Sequence, residues 1–282
     1  MGVNLESRNL RSLYQRQPVS GWSRAPERAT RDHPVRIYTL GRFSIQLHGV
    51  AASSKRARQH RPIELLQALI ALGGRDVSVE VLSQALWPDA DGDLAKNTFD
   101  VTLHRLRRLF GVKDLLLLCD HRLTLNSDLA WVDVWSFERL VNHAERLLPR
   151  AGDPVVTRQL ARVGERLVTL YQGNFLEREG SNAWSLKLRE RLRSKLLRHL
   201  LDNGLVWERL GEWDPAIRLY RKGLEIDPLT EALYQRLMIC YRESGQRGDA
   251  LAVFQRCREV LARQFHIDPS SKTLDLYSSL KS

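Results

Sequence analysis

Residues 94–110 read LAKNTFDVTLHRLRRLF. On a helix, Phe99, Leu103, Leu106 and Phe110 fall on one narrow stripe, at steps of four, three and four. The opposite face carries Asn97, Val101, His104, Arg105 and Arg108. An α-helix fits the DNA major groove, where Asn suits the adenine edge and Arg the guanine edge. The chemistry on offer is therefore recognition by hydrogen bonding, with one side of the helix in a core and the other turned outward. The alternative is a solvated basic face on an ordinary surface helix.

No other cluster is equipped to make or break bonds. No G-x-x-x-x-G-K-[ST] pattern is present, so ATP hydrolysis has no seat, and Gly73 and Gly74 read as a helix stop. The eight histidines are scattered, without H-E-x-x-H or an i, i+4 pair; His33, His48 and His60 read as turn or surface residues. Asp89, Asp91 and Asp93 superficially suggest a calcium loop, but no Glu follows at the required spacing. They read instead as an acidic cluster at a helix start, favoured by the macrodipole. Cys119, Cys240 and Cys257 form neither a disulfide framework nor a zinc spacing. No catalytic residue, metal or cofactor is expected. A run in the second half, Lys187, Arg189, Arg191, Arg193, Lys195 and Arg198, is offset only by Glu190. It is either a solvated face over buried Leu186, Leu192, Leu196 and Leu200, or a contact for an anion: DNA phosphate or a small anionic effector.

The elements that must hold the basic helix can be read around it. Val35, Ile37, Thr39 and then Phe43, Ile45, Leu47 alternate with polar residues, giving strands broken at Gly41 and turning at His48 and Gly49. Pro62 opens a helix that Gly73 and Gly74 stop; Ser78 is the expected N-cap of a second, ended by Trp87 and Pro88. Gly111 closes the basic helix, and two apolar runs, 115–118 and 123–125, flank a polar turn as a hairpin. From Trp131 onward only helical periodicity is visible. There an offset of 34 relates Trp207 to Tyr241, Gly211 to Gly245, Ala216 to Ala250 and Tyr220 to Phe254, with Pro228 where a second helix should end. That is the period of a tetratricopeptide repeat. Helices at 155–170 and 184–201 are expected to be degenerate repeats in the same stack.

The chain has 282 residues, a formal net charge of +11 and a sequence pI of about 9.9, which favours an anionic partner. Residues 1–34, with six Arg against three acids, read as a flexible leader. No apolar run approaches a membrane span or a signal peptide, so a cytoplasmic protein with no membrane partner is expected.

The strand–helix–helix–helix–hairpin order over 35–126, with NTFDVTLHRLRR at 97–108, resembles an OmpR/PhoB-type winged helix. Residues 131–282, with WSLKLRERLR at 184–193, YRKGLEIDP at 220–228 and EALYQRLM at 231–238, resemble the bacterial transcriptional activator domain. The pair in this order is similar to SARP-type regulators. The resemblance implies a mainly α chain, with an α+β winged-helix domain followed by an all-α helical repeat domain. It implies an activator that binds promoter direct repeats in double-stranded DNA, as a homodimer there, and contacts RNA polymerase. Carried over by position, the DNA-binding residues are Asn97, Thr102, His104, Arg105, Arg107 and Arg108, with Arg122 on the wing; the loop of Asp89, Asp91 and Asp93 corresponds to the polymerase-facing loop. The alternative is a repeat-based adaptor whose winged helix contacts protein. An enzyme lacks every constellation.

Overall fold

Alternation along the first strands is realised as expected. In this computed structural model, which describes residues 33–51, 60–180 and 182–281, β1 (Val35–Tyr38) pairs antiparallel with β2 (Ser44–Leu47). Val35, Ile37 and Ile45 point into the core. His48 and Gly49 both take positive φ, the turn whose twist matches that of the strands, and lead into β3 (Val50–Ala51). The leader expected over 1–34 lies outside the described residues, except for its last two.

Helix α1 (His60–Ala71) carries Pro62 in its first turn and buries Ile63, Leu65, Leu66, Leu69 and Ile70. Gly74 follows at φ +76°, and a Cβ there would come within 2.6 Å of the Trp135 ring, so glycine is required by both backbone and space. A short strand, β4 (Val77–Ser78), precedes α2 (Val79–Leu86). Ser78 does stand at the N-cap of α2, but its hydroxyl makes no capping bond. The Val79 N–H, the first free amide of the helix, donates to the His121 carbonyl at 2.9 Å, so the hairpin satisfies one of the helix's N-terminal donors. Helix α3 (Gly92–Phe110) starts two residues earlier than its apolar stripe suggested, with Asp93 in the first turn. Strands β5 (Leu116–Cys119) and β6 (Arg122–Leu125) form the hairpin, completing a sheet in the order β4-β6-β5.

Two strands were not visible in the sequence: the two-residue β4, and a longer-range one. β7 (Ala130–Val132) pairs parallel with β1, Val35 opposite Ala130 and Ile37 opposite Val132, giving the order β3-β2-β1-β7. Three residues are too few for a period to show. Helices α4 (Asp133–Leu147), α5 (Pro154–Leu170), α6 (Ala183–Arg209), α7 (Trp213–Ile226), α8 (Glu231–Glu243), α9 (Arg247–Phe265) and α10 (Ser271–Lys281) follow. The helix expected over 184–201 does not stop there. It continues through Trp207 as one 27-residue helix, because Gly204 packs beneath the Tyr220 ring instead of ending it. The 34-residue offset is structural: Gly211 and Gly245 both turn at positive φ, and Ala216, Ala250, Tyr220 and Phe254 are all buried.

The two halves share a core. One apolar cluster runs from Ile37 and Leu66 through Phe99 to Phe137, Leu167 and Leu192, and the described residues from His33 onward pack as one compact unit. A second cluster, with Tyr220, Tyr234 and Phe254, fills the repeat helices.

Asp133 ties the halves together. It is 1% exposed, and its carboxylate accepts from the Thr39 N–H (2.6 Å), the Thr39 hydroxyl (2.6 Å), the Leu40 N–H (2.8 Å) and the Val134 N–H (2.8 Å). Burial pushes the carboxyl above the usual aspartate range, against four donors that favour its ionised form. The same stretch of chain is held from the other side. Leu40 bridges Phe175, the Gly41 N–H donates to the Asn174 carbonyl at 3.0 Å, and the Leu176 N–H donates to the Thr39 carbonyl at 2.8 Å.

Two stability measurements check this packing. Asp133→Ala strands three buried N–H groups, each costing about 1–3 kcal/mol, so denaturant unfolding should show a loss of about 3 kcal/mol or more. Phe99→Ala empties a fully buried ring site and should cost roughly 3–5 kcal/mol; an unchanged midpoint would mean that the faces of α3 are assigned the wrong way round.

Candidate nucleic-acid interface

Helix α3 is held by its apolar side. Ala95, Phe99, Leu103, Leu106, Leu109 and Phe110 are buried, and the helix packs against α1 and α2. Gly111 ends the helix in the left-handed conformation, its N–H donating to the Arg107 carbonyl. What remains outward is a continuous face of Lys96, Asn97, Asp100, Val101, His104, Arg105, Arg107 and Arg108, all exposed.

Two of the residues assigned to DNA lie differently. Thr102 is only 5% exposed, on the core side of the helix. Its position, one residue from Leu103 and three from Phe99, puts it with the stripe. Arg107 is exposed, but its Nη2 donates to the Leu116 carbonyl at 3.0 Å and so fastens the helix to β5. Among the described residues, Asn97, His104, Arg105 and Arg108 make no such tie to the fold.

The hairpin is braced at several points. Its two-residue turn, Asp120 and His121, has positive φ at both positions. The Asp76 N–H donates to the Thr124 hydroxyl, and the Asn126 side-chain amide to the Asp114 carbonyl. Arg122 donates to the Asp76 carbonyl at 3.0 Å and faces its carboxylate at 3.5 Å, with both side chains more than half exposed. A phosphate would compete with Asp76 for that guanidinium in high dielectric, where such a pair is worth little. Asp76 was not singled out in the sequence, because it is 46 residues from its partner. The exposed Cys119 thiol is pushed up by its hydrogen bond to Asp120 and by that carboxylate's charge, which keeps it protonated rather than nucleophilic.

The basic run on α6 is largely spent within the fold. Arg189 donates to the carbonyls of Phe175, Leu176 and Gly180 at 3.0–3.1 Å. Arg191 and Lys195 both reach Glu138 on α4 at 3.1 Å, and Arg193 pairs with Glu190 at 2.8 Å. Arg198 is exposed and also has an interaction; Lys187 is exposed at the helix start. The burial pattern differs from the expected one: Leu188 is buried where Leu186 was placed, and Leu186 is 48% exposed. Glu138, far away in sequence, is the residue that makes the difference between a free cationic face and an internal network.

Asp89, Asp91 and Asp93 are all exposed around the start of α3. Among the described residues, no group of three or more His, Cys, Asp or Glu is placed to hold a metal ion. Nor is any helix there long and apolar enough to cross a membrane.

Comparison with known proteins agrees with this layout. Residues 132–281 match the model of the bacterial transcriptional activator domain. The chain is 27% identical over 260 residues to the regulatory protein AfsR of Streptomyces griseus, covering 90% of this chain and 26% of AfsR. It is 24% identical over 248 residues to the regulatory protein DnrI of Streptomyces peucetius, covering 83% of this chain and 87% of DnrI. It thus spans about a quarter of one relative's length and most of the other's. Among solved structures, Mycobacterium tuberculosis EmbR in complex with a low-affinity phosphopeptide superposes with a TM-score of 0.68 at 18% identity, covering 88% of this chain and 65% of that one. That likeness extends the shared fold beyond the matched domain, across the N-terminal α/β region and the repeat helices. With three helices and a hairpin ahead of tetratricopeptide-like repeats, this chain belongs to the bacterial transcriptional activator domain family, in the arrangement of the SARP-type transcriptional regulators.

Proposed function

We propose that this protein is a cytoplasmic, sequence-specific DNA-binding activator. In this reading residues 35–126 are the DNA-binding domain and residues 131–282 the domain that handles partners. The observation that carries it is the outward face of α3: Asn97, His104, Arg105 and Arg108 exposed on a helix whose other side is locked into the core. A rigidly seated helix with free amide and guanidinium groups is suited to major-groove readout. Thr102 is left out of the reading surface because it is buried, and Arg107 is assigned to holding the hairpin. The acidic loop of Asp89, Asp91 and Asp93 is proposed to face basic surfaces of RNA polymerase.

One winged helix covers little duplex, which limits discrimination against a genome of competing sites. Two copies on promoter direct repeats answer that limit. Side by side on one DNA face, they require half-sites about one helical turn apart, roughly 10–11 base pairs.

Two binding experiments test this. Sites selected from a random pool should lose roughly 1–3 kcal/mol of affinity for Arg105→Ala, with relaxed discrimination at one position, whereas Arg122→Ala should weaken all sequences about equally. Intact discrimination in Arg105→Ala would show that α3 is docked wrongly. Inserting about half a helical turn between half-sites should abolish cooperative binding, and a whole turn should restore part of it; cooperativity indifferent to spacing would remove the tandem arrangement.

A further inference from the structure

Helix α5 carries Arg158, Arg162 and Arg166 at steps of four, all exposed. That spacing puts the three arginines on one face, about 6 Å apart along the helix axis. The opposite face buries Val156, Leu160, Val163 and Leu167 and packs against α4 and α6. Like charges four residues apart repel and weaken a helix, so the row does not serve the helix itself. A solvated face usually intersperses acids with bases. Here Glu165 is the one acid within the helix, and Asp153 before it is committed to the cap, accepting from the Val155 N–H at 2.7 Å. Among the described residues, neither Arg158 nor Arg162 meets a carboxylate within ion-pair distance. The contrast is with α6, whose arginines are largely spent on Glu138, Glu190 and backbone carbonyls. Arg146 in the last turn of α4 and Arg150 in the turn after it are also exposed, and carry the positive charge round the short connection into α5.

We propose that this face of α5, continued by Arg146 and Arg150, docks an acidic segment of a partner protein through guanidinium–carboxylate pairs. The proposal goes beyond the DNA reading above; only its exclusion of DNA as the occupant rests on α3 being the reading helix. Position separates the two surfaces. Helix α3 is seated on α1, α1 packs on α6, and α6 packs on α5. The arginines stand on the side of α5 turned away from α6, and the polar face of α3 is turned away from its own seat. Along that path, three helix contacts of about 8–10 Å each lie between α3 and α5. Charge is screened over about 8–10 Å at physiological salt, so phosphates beside α3 are out of reach of the row. A carboxylate-bearing polypeptide suits it instead, because the planar guanidinium fork matches a carboxylate with two parallel hydrogen bonds.

The acidic probe is fluorescein-labelled poly-L-glutamate, followed by anisotropy as the full chain is titrated in, both free and bound to a duplex selected from a random pool. The double charge reversal R158E/R162E should weaken probe binding about ten-fold, the sum of a few exposed ion pairs lost and reversed. The neutral pair R158Q/R162Q should lose about three-fold, and guards against an effect of the new acids alone. Arg247 and Arg263 are exposed on α9, so R247E/R263E makes the same change of net charge elsewhere and should cost about two-fold or less. All three variants should melt like the parent and bind duplex as it does. Equal losses in R158E/R162E and R247E/R263E, or no probe binding at all, would overturn the docking face and leave DNA reading intact. Weaker duplex binding in R158E/R162E alone would make the row a DNA contact and overturn the proposal. Failure to select any duplex would count against α3 as the reading helix, while the probe titration of the free chain would still decide the role of α5.

Discussion

The structure depends on a carboxylate taken out of water. Asp133 sits at the first position of α4, directly after β7, and its two oxygens gather donors from residues 39 and 40 at the end of β1. A buried carboxylate is costly unless its hydrogen-bonding capacity is met, and here it is met by groups nearly a hundred residues away. The bonds therefore specify where the N-terminal sheet ends and where the helical region begins. The loop at 174–176 closes on the same segment, and Arg189 clamps that loop from α6. The N-terminal half and the helical half meet through directional polar bonds laid over a continuous apolar core.

That constraint gives α3 its character. The helix has a fixed seat, which the base-reading role proposed for it requires, because hydrogen bonds to base edges discriminate only when donors and acceptors are held in register. Its seat is apolar, and its last turn is fastened to β5 by Arg107. The hairpin in turn caps α2 through the His121 carbonyl. Helix α3 thus satisfies a backbone group of the hairpin, and the hairpin one of α2, through groups that leave the rest of the outward face free to carry polar chemistry.

The parts legible in the sequence are those governed by local periodicity. The two faces of α3, the hairpin, the first strands and the 34-residue repeat follow from spacing alone. What the sequence hid are pairings between distant residues. β7 is too short to show alternation, and its partner β1 is about 95 residues earlier. Glu138 neutralises Arg191 and Lys195 from 53 and 57 residues away, turning an apparent anion site into an internal network. Asp76 meets Arg122 across 46 residues, but both side chains stay more than half exposed, so this pair leaves the guanidinium open to competition. Thr102 was misplaced for a different reason: the buried stripe of α3 is broad enough to take in a residue whose type suggested a contact with DNA. The basic face of α3 stays exposed because, beyond Asp93 in the first turn, the helix carries a single acid, Asp100.

The parallel pairing of β1 with β7 also orders events in time. As the chain leaves the ribosome, β1 emerges early and can pair with β2 at once, but its other edge stays open until residue 132 has been made. The contacts of residues 39–41 need still more chain, up to residue 176. Such long-range closure is slow compared with helix formation, and an open strand edge is prone to mispairing while it waits. Helix α3 is thus synthesised well before the framework that seats it is complete, and its final seating is a late property of the nascent chain.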